Sequence, residues 1–265
     1  MPRVRRSAPS CASEASAKTT STTAPARIVM SVLLGGLVLG AALVAVGAMQ
    51  DARAQAPAPP PIEGNVYSVT YVEVLPTSRT EAVALLAGYR VRTRQEDGNL
   101  RCEVLSRIGQ AYQLVILEVW RDLTALEAHG RSAQTTQTRE KLQAIRTAPL
   151  DERVHGGLSV GPLGPGPAGD AVYVVTHVDV VPPRKEDGVA AVKELADAGR
   201  ASPGNVRFEV VQQANRPNHF TVVEIWKDAT AVQTHSMAET TRRFRDRLAP
   251  ISGALYDERM YKAVE

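Results

Sequence analysis

The feature that most restricts this chain is that it repeats itself. From Tyr67 to Arg153, residue n matches residue n + 106 without a gap, and roughly a third of the aligned positions are identical. "EVWRDLTALEAH" at 118–129 returns as "EIWKDATAVQTH" at 224–235, the GN-R-EV pattern at 98–104 returns at 204–210, and "DER" at 151–153 returns at 257–259. Agreement over that length means that one structural unit was duplicated, and each copy must be able to bury an apolar face against its twin.

Each copy carries the same succession of patterns. "VYSVTYVEVLP" and "VYVVTHVDVVP" are β-branched runs ending at proline, which reads as strand one. Residues 78–95 and 184–200 space Ala, Leu and Val helically among charges, which reads as helix one. "GNLRCEVLSR" and "GNVRFEVVQQ" are strands entered through Gly-Asn, and short turns lead back into "YQLVILEVW" and "HFTVVEIWK" as hairpins. Asp122/Asp228 or Thr124/Thr230 suit the start of a second helix reaching about 146 and 247, and a last strand carries DER. The order β-α-β-β-α-β is a ferredoxin-like split unit. The fold class is therefore α+β, with two such units packed sheet to sheet as an intrachain α+β barrel, because a sheet with helices on one face must cover the other.

Composition fixes the surroundings. The formal charge of +3 is concentrated in residues 1–54, so the rest is near neutral and nucleic acid is not an expected partner. Residues 28–49 run without a charge and lead to small-residue sites around Ala52–Ala56, so 1–54 reads as a cleaved signal peptide or, alternatively, a membrane anchor. Either places the folded part outside the cytoplasm, periplasmic or secreted. Residues 55–65 form a Pro/Ala linker, 66–155 and 172–265 the two domains, and 156–171 a Gly/Pro linker. Cys102 is alone beyond the leader, which excludes an internal disulfide there, and its counterpart Phe208 suggests apolar packing. No nucleotide-binding or serine-hydrolase motif occurs.

The β-α-β-β-α-β order, Gly-Asn at strand two, E-V-W-x-D closing strand three and His on the next helix resemble the antibiotic biosynthesis monooxygenase (ABM) family of dimeric α+β barrels. The resemblance implies oxidation of quinols, anthrones or other electron-rich aromatics by molecular oxygen, with no flavin, metal or other cofactor. The partners would be a small aromatic substrate and O2, and the body a monomer whose copies pair internally. The alternative is a non-catalytic module binding a hydrophobic small molecule or haem. The haem-degrading branch that resembles this fold needs an Asn in strand one, whereas this strand offers Thr70, Tyr71, Thr176 and His177.

Candidate residues follow from strand three and the helix after it. Leu114, Ile116, Glu118 and Trp120 alternate onto one face, as do Phe220, Val222, Glu224 and Trp226. A glutamate in that apolar stripe is either a base with raised pKa or half of an ion pair with Arg101 or Arg207, and the Arg and Glu kept in both copies favour the pair. Trp120 and Trp226 fill core volume or wall an aromatic pocket. His129 and His235 are candidate bases or anion donors, or else histidines hydrogen-bonded at the sheet edge. The candidate catalytic set is His129, His235, Glu118, Glu224 and His177. The substrate-binding set is Trp120, Trp226, Tyr71, Tyr89, Tyr112, Asn99 and Asn205. Where the copies diverge, His177 and His235 are expected to share a pocket in copy two, which ranks it first for acid–base chemistry. Tyr71, Tyr89 and Tyr112 make copy one an expected aromatic-binding cavity.

Overall fold

The computed structural model describes residues 61–264 except 165 and 168. The leader, and with it the expected signal peptide or anchor, lies outside these residues. No helix among the described residues is long and apolar enough to cross a membrane.

Repeat one runs β1 (Val66–Glu73), α1 (Arg79–Thr93), β2 (Asn99–Arg107), β3 (Gln110–Trp120), α2 (Leu123–Arg131), α3 (Ala133–Ile145) and β4 (Asp151–Ser159). Repeat two runs β5 (Val172–Asp179), α4 (Lys185–Arg200), β6 (Asn205–Gln213), β7 (His219–Trp226), α5 (Ala229–Met237), α6 (Glu239–Leu248) and β8 (Asp257–Ala263). Local chemistry sets these boundaries. Pro76 and Pro182 stop strand one and open short 3-10 turns. Gly98 and Gly204 take φ of 81° and 82° at the entry to strand two, and a Cβ there would come within 2.6 Å and 2.8 Å of Ala125 and Ala231. That explains the repeated glycine: the strand enters against the start of the following helix. Asp122 and Asp228, rather than the threonines, cap α2 and α5 by accepting from Ala125 and Ala231 N–H at 2.8 Å.

Two elements depart from the expectation. The single second helix is two, broken at Ser132 and Ala238, whose ψ of 146° and 148° is extended. Ser132 then caps α3 through its hydroxyl. β4 also runs to Ser159, into the stretch read as linker, because its Gly156 and Gly157 pair with Gln212 and Val211 of β6.

All eight strands close one antiparallel barrel in the order β1-β3-β2-β8-β5-β7-β6-β4, with β4 returning to β1. The two copies thus join edge to edge, β2 to β8 and β4 to β6, as well as facing each other. Side-chain alternation separates two environments. Even-numbered residues of β3 such as Leu114 and Ile116 face outward and pack with Leu86 and Leu142 under the helices. Val115 and Leu117 face the lumen beside Val69, Val175, Val223 and Ile225. Each such buried aliphatic contributes roughly 1.5–3 kcal/mol.

The same alternation corrects the expected ion pairs of Glu118 and Glu224. Arg101 and Arg207 fall on the lumen side, one residue out of step with Cys102 and Phe208, which lie opposite the glutamates. They pair across the barrel instead, Arg101 with Glu209 at 2.6 Å and Arg207 with Glu103, and Tyr173 donates to Glu103 at 3.0 Å. This charged cross-link between copies was missed in the sequence, although the repeated Arg-x-Glu spells it out.

Candidate active site

Repeat one gathers four side chains into a line. Glu118 comes from β3, Tyr89 from α1, His129 from the last turn of α2 and Glu96 from the turn before β2. The Tyr89 hydroxyl donates to Glu118 Oε1 at 2.8 Å and lies 2.6 Å from His129 Nε2; His129 Nδ1 lies 2.8 Å from Glu96 Oε2. Gln134 donates to the other Glu96 oxygen at 3.1 Å. The helix break at Ser132 lets the Thr135 hydroxyl reach within 3.2 Å of His129 Nε2.

Proton counting limits the states of this line. Carboxylate Glu96 takes the Nδ1 proton. Tyr89 has one proton for two neighbours, so either His129 is an imidazolium beside an ionised Glu118, or His129 is neutral beside a protonated Glu118. The two states differ by moving two protons along existing hydrogen bonds. Burial pushes Glu118 up from the ordinary carboxylate range, opposed by the charge of His129 and the Tyr89 hydrogen bond. Burial, then the neighbouring Glu118, pushes the Tyr89 phenol far up, so it keeps its proton.

The line borders a cavity of about 30 Å³, walled by Val72, Ile116, Leu142 and Leu150 and edged by Thr70, Thr135 and Thr138. Its rim is the Arg139–Glu152 ion pair at 2.6 Å, both partners being substantially exposed. That volume holds a water-sized body, so an aromatic guest requires the rim to open. Trp120 is fully buried and does not line the cavity; it packs under His129 with ring centroids 4.6 Å apart. Trp226 does the same for His235 at 4.5 Å. The Trp–His spacing that recurs in both copies is therefore a ring-on-ring support that fixes the imidazole.

Repeat two keeps the frame and fills the space. Leu195 stands where Tyr89 does and Ser202 where Glu96 does, its hydroxyl 3.4 Å from His235 Nδ1. Phe208, in the place of Cys102, lies edge-on to His235 at 5.9 Å, and Phe244 and Tyr256 replace Thr138 and Leu150. Gly199, in the place of Thr93, makes room: a Cβ there would sit 2.2 Å from the Phe208 ring. Glu224 accepts from Trp226 Nε1 at 2.8 Å, and burial pushes it up to about 8. Burial, helped by the Arg245 charge, lowers His235 to about 4. At neutral pH neither group of this pair is charged.

The remaining predicted residues are scattered. His177 does not share a pocket with His235: it faces the lumen, the opposite side of its strand from Val178 and the helix layer. There His177 Nε2 lies 3.2 Å from His219 Nδ1, and burial and Arg153 lower His177 to about 4. The three tyrosines do not form one cavity either. Tyr71 lies at a lumen end under the guanidinium groups of Arg153 and Arg259, beside a space of about 190 Å³. Tyr112 packs at the edge of the helix-side core. Asn99 and Asn205 reach back to Arg101 and Arg207 carbonyls at 3.5 and 3.4 Å and stay outside the cavity. Sequence reading missed Glu96, Thr135, Thr138, Arg139 and Glu152. The Glu96/Ser202 and Thr138/Phe244 differences were available, but nothing in the sequence placed those residues near His129.

No group of three metal-ligating side chains is arranged to hold an ion among the described residues. The site does not fit haem: both His129 nitrogens are engaged and the cavity is water-sized.

The tandem barrel thus holds, among the described residues, a buried Tyr–His–Glu line beside a small cavity in repeat one, and repeat two has Leu195 in place of the tyrosine. The profile of the antibiotic biosynthesis monooxygenase family matches residues 65–141 and 171–247, together more than half of the chain, which belongs to that family. YcnE of Bacillus subtilis, provisionally named a monooxygenase, is 28% identical over 81 residues, covering 31% of this chain and 85% of that protein. A structure from Fusobacterium nucleatum, likewise provisionally named, superposes with a TM-score of 0.68 at 15% identity, over 76% of this chain and 93% of the other. An anthrone oxidase-like protein superposes with a TM-score of 0.61 at 13% identity, over 77% and 92%. Likeness at those identities speaks for the fold.

Proposed function

We propose that repeat one is a cofactor-independent monooxygenase site that oxidises a small quinol or polyphenolic aromatic with O2. The observation carrying this reading is the Tyr89–His129–Glu118 line, a buried base system beside a small cavity with aliphatic walls and a polar edge. A quinol becomes able to reduce oxygen once it loses a phenolic proton. Glu118, whose proton affinity burial raises, accepts that proton, and Tyr89, itself bonded to His129, donates a hydrogen bond to the carboxylate. One oxygen atom then enters the ring and the other leaves as water, the quinol supplying all the electrons. The apolar walls keep the anion from bulk solvent. The charge-free run at 28–49 supports a site of action outside the cytoplasm.

Oxygen consumption with a panel of hydroquinones and polyphenols tests the reading. Uptake with at least one compound, lost in His129→Ala, is expected. Absence of uptake with every compound, or uptake unchanged in that variant, sinks it.

A further inference from the structure

Resting on the reading above, we propose that Glu96 is the solvent-side end of a proton path that drains the buried cavity. Three contacts of 2.8, 2.6 and 2.8 Å link Glu118, Tyr89, His129 and Glu96 without a break. The ends differ in what they touch: the Glu118 side chain is 4% exposed and that of Glu96 is 24% exposed. With the Arg139–Glu152 rim closed, the buried Glu118 carboxylate touches no bulk water, and the hydrogen-bonded line through Tyr89 is the way out that its contacts offer.

The path moves it by exchange. Protonated Glu118 gives its proton to the Tyr89 oxygen, Tyr89 gives its own to His129 Nε2, and His129 releases the Nδ1 proton to Glu96 carboxylate. Three O–H or N–H bonds break and three form. The negative charge passes from Glu96 to Glu118, which is again a base; Glu96 then loses its proton to water, and His129, left as the Nε2–H tautomer, returns to the Nδ1–H tautomer before the path carries a second proton. Tyr89 never becomes a phenolate in this exchange, in keeping with its burial. Gln134 anchors Glu96 in the orientation needed.

Repeat two shows the same path cut in two places. Leu195 has no hydroxyl to bridge Glu224 and His235, and Ser202 offers no carboxylate beyond His235. Both links are missing in repeat two, where Phe208 lies edge-on to the histidine, and both are present in repeat one. Glu96 thus acts through His129 as a positioning and relay residue; it does not border the cavity.

The test uses Glu96→Gln in the full chain, with two independent readouts. The first needs no turnover: an Nδ1 proton of His129 hydrogen-bonded to a carboxylate should give a downfield NMR resonance in the wild type, moved upfield in Glu96→Gln, whose neutral amide oxygen is the weaker acceptor, and unchanged in Ser202→Ala. The second is kinetic, on whichever quinol is oxidised: Glu96→Gln should lower kcat by about 10²-fold and enlarge the solvent deuterium isotope effect, and Glu96→Asp should restore part of both. A resonance unchanged in Glu96→Gln overturns the path whether or not any quinol is oxidised. A shifted resonance with kcat and isotope effect unchanged overturns the relay role. If the protein oxidises no quinol, the monooxygenase reading fails separately, and the NMR result still decides whether Glu96 holds His129.

Discussion

The two repeats share a backbone plan and a Trp–His–Glu triad, yet only in repeat one does a tyrosine join the histidine of the triad to its glutamate. Repeat one has Tyr89, Glu96, Cys102 and Thr138 where repeat two has Leu195, Ser202, Phe208 and Phe244. The changes are coordinated. Phe208 adds a ring, and Gly199 removes the side chain that would meet it. When two copies share one chain each position can change alone, so one site can be given up to packing while the other is kept. The difference teaches that Trp, His and Glu are kept in both copies together with the frame, and that the copies part in the residues that link the histidine to the glutamate and to solvent.

The largest expected effect tests whether that asymmetry is real. His129→Ala should cut oxygen uptake by about 10²- to 10⁴-fold, while His235→Ala should leave it within about twofold, measured on the same substrate. Equal losses would mean that both repeats work. Next, the packing exchange can be reversed. Gly199→Ala should destabilise the barrel by about 1–3 kcal/mol by driving a methyl group into Phe208, and most of that cost should vanish in a Phe208→Cys background. Urea midpoints of the four proteins measure the coupling, and simple additivity would show that the two positions are independent.

The third test concerns pH. Glu224 is held protonated in the folded protein up to about 8, whereas an unfolded glutamate loses its proton near 4.3. Between those values the native state binds the extra proton, so this group lowers stability as pH rises, by on the order of 1.4 kcal/mol per pH unit. Glu224→Gln should flatten that slope between pH 5 and 8 in urea titrations. Three histidines oppose it: His155, His177 and His235 sit near 4 when folded, so their share of stability is present above about 6.5 and lost as pH falls through 4. An unchanged slope in Glu224→Gln would place Glu224 in the ordinary carboxylate range.

The fold could be read from the sequence because its determinants are local and doubled. Pro76 and Pro182 stop the same strand, Gly98 and Gly204 open the same strand, and Asp122 and Asp228 cap the same helix. The site was harder because it depends on which side of a strand a residue faces. Counting by twos places Glu118 with Leu114 and Ile116 correctly, but the same count puts Arg101 and His177 in the lumen, away from the histidines on the helices. The Glu118–Tyr89 contact joins residues 29 apart and the Tyr89–His129 contact residues 40 apart, through a helix orientation that no local pattern encodes. Glu96 was hidden for the same reason: it lies in a turn, and only the folded chain brings it to His129.

The way the barrel closes has a consequence for how the chain is made. The last strand, Asp257–Ala263, pairs on one side with Leu105–Arg107 of repeat one and on the other with Tyr173–His177 of repeat two. Until those seven residues are in place, both β2 and β5 present a bare edge able to template pairing with other chains. Closure spans more than half the sequence and is the slow kind of contact to form. The C-terminal strand is therefore the latch of the whole barrel, and shortening it would expose two hazards at once, one in each repeat.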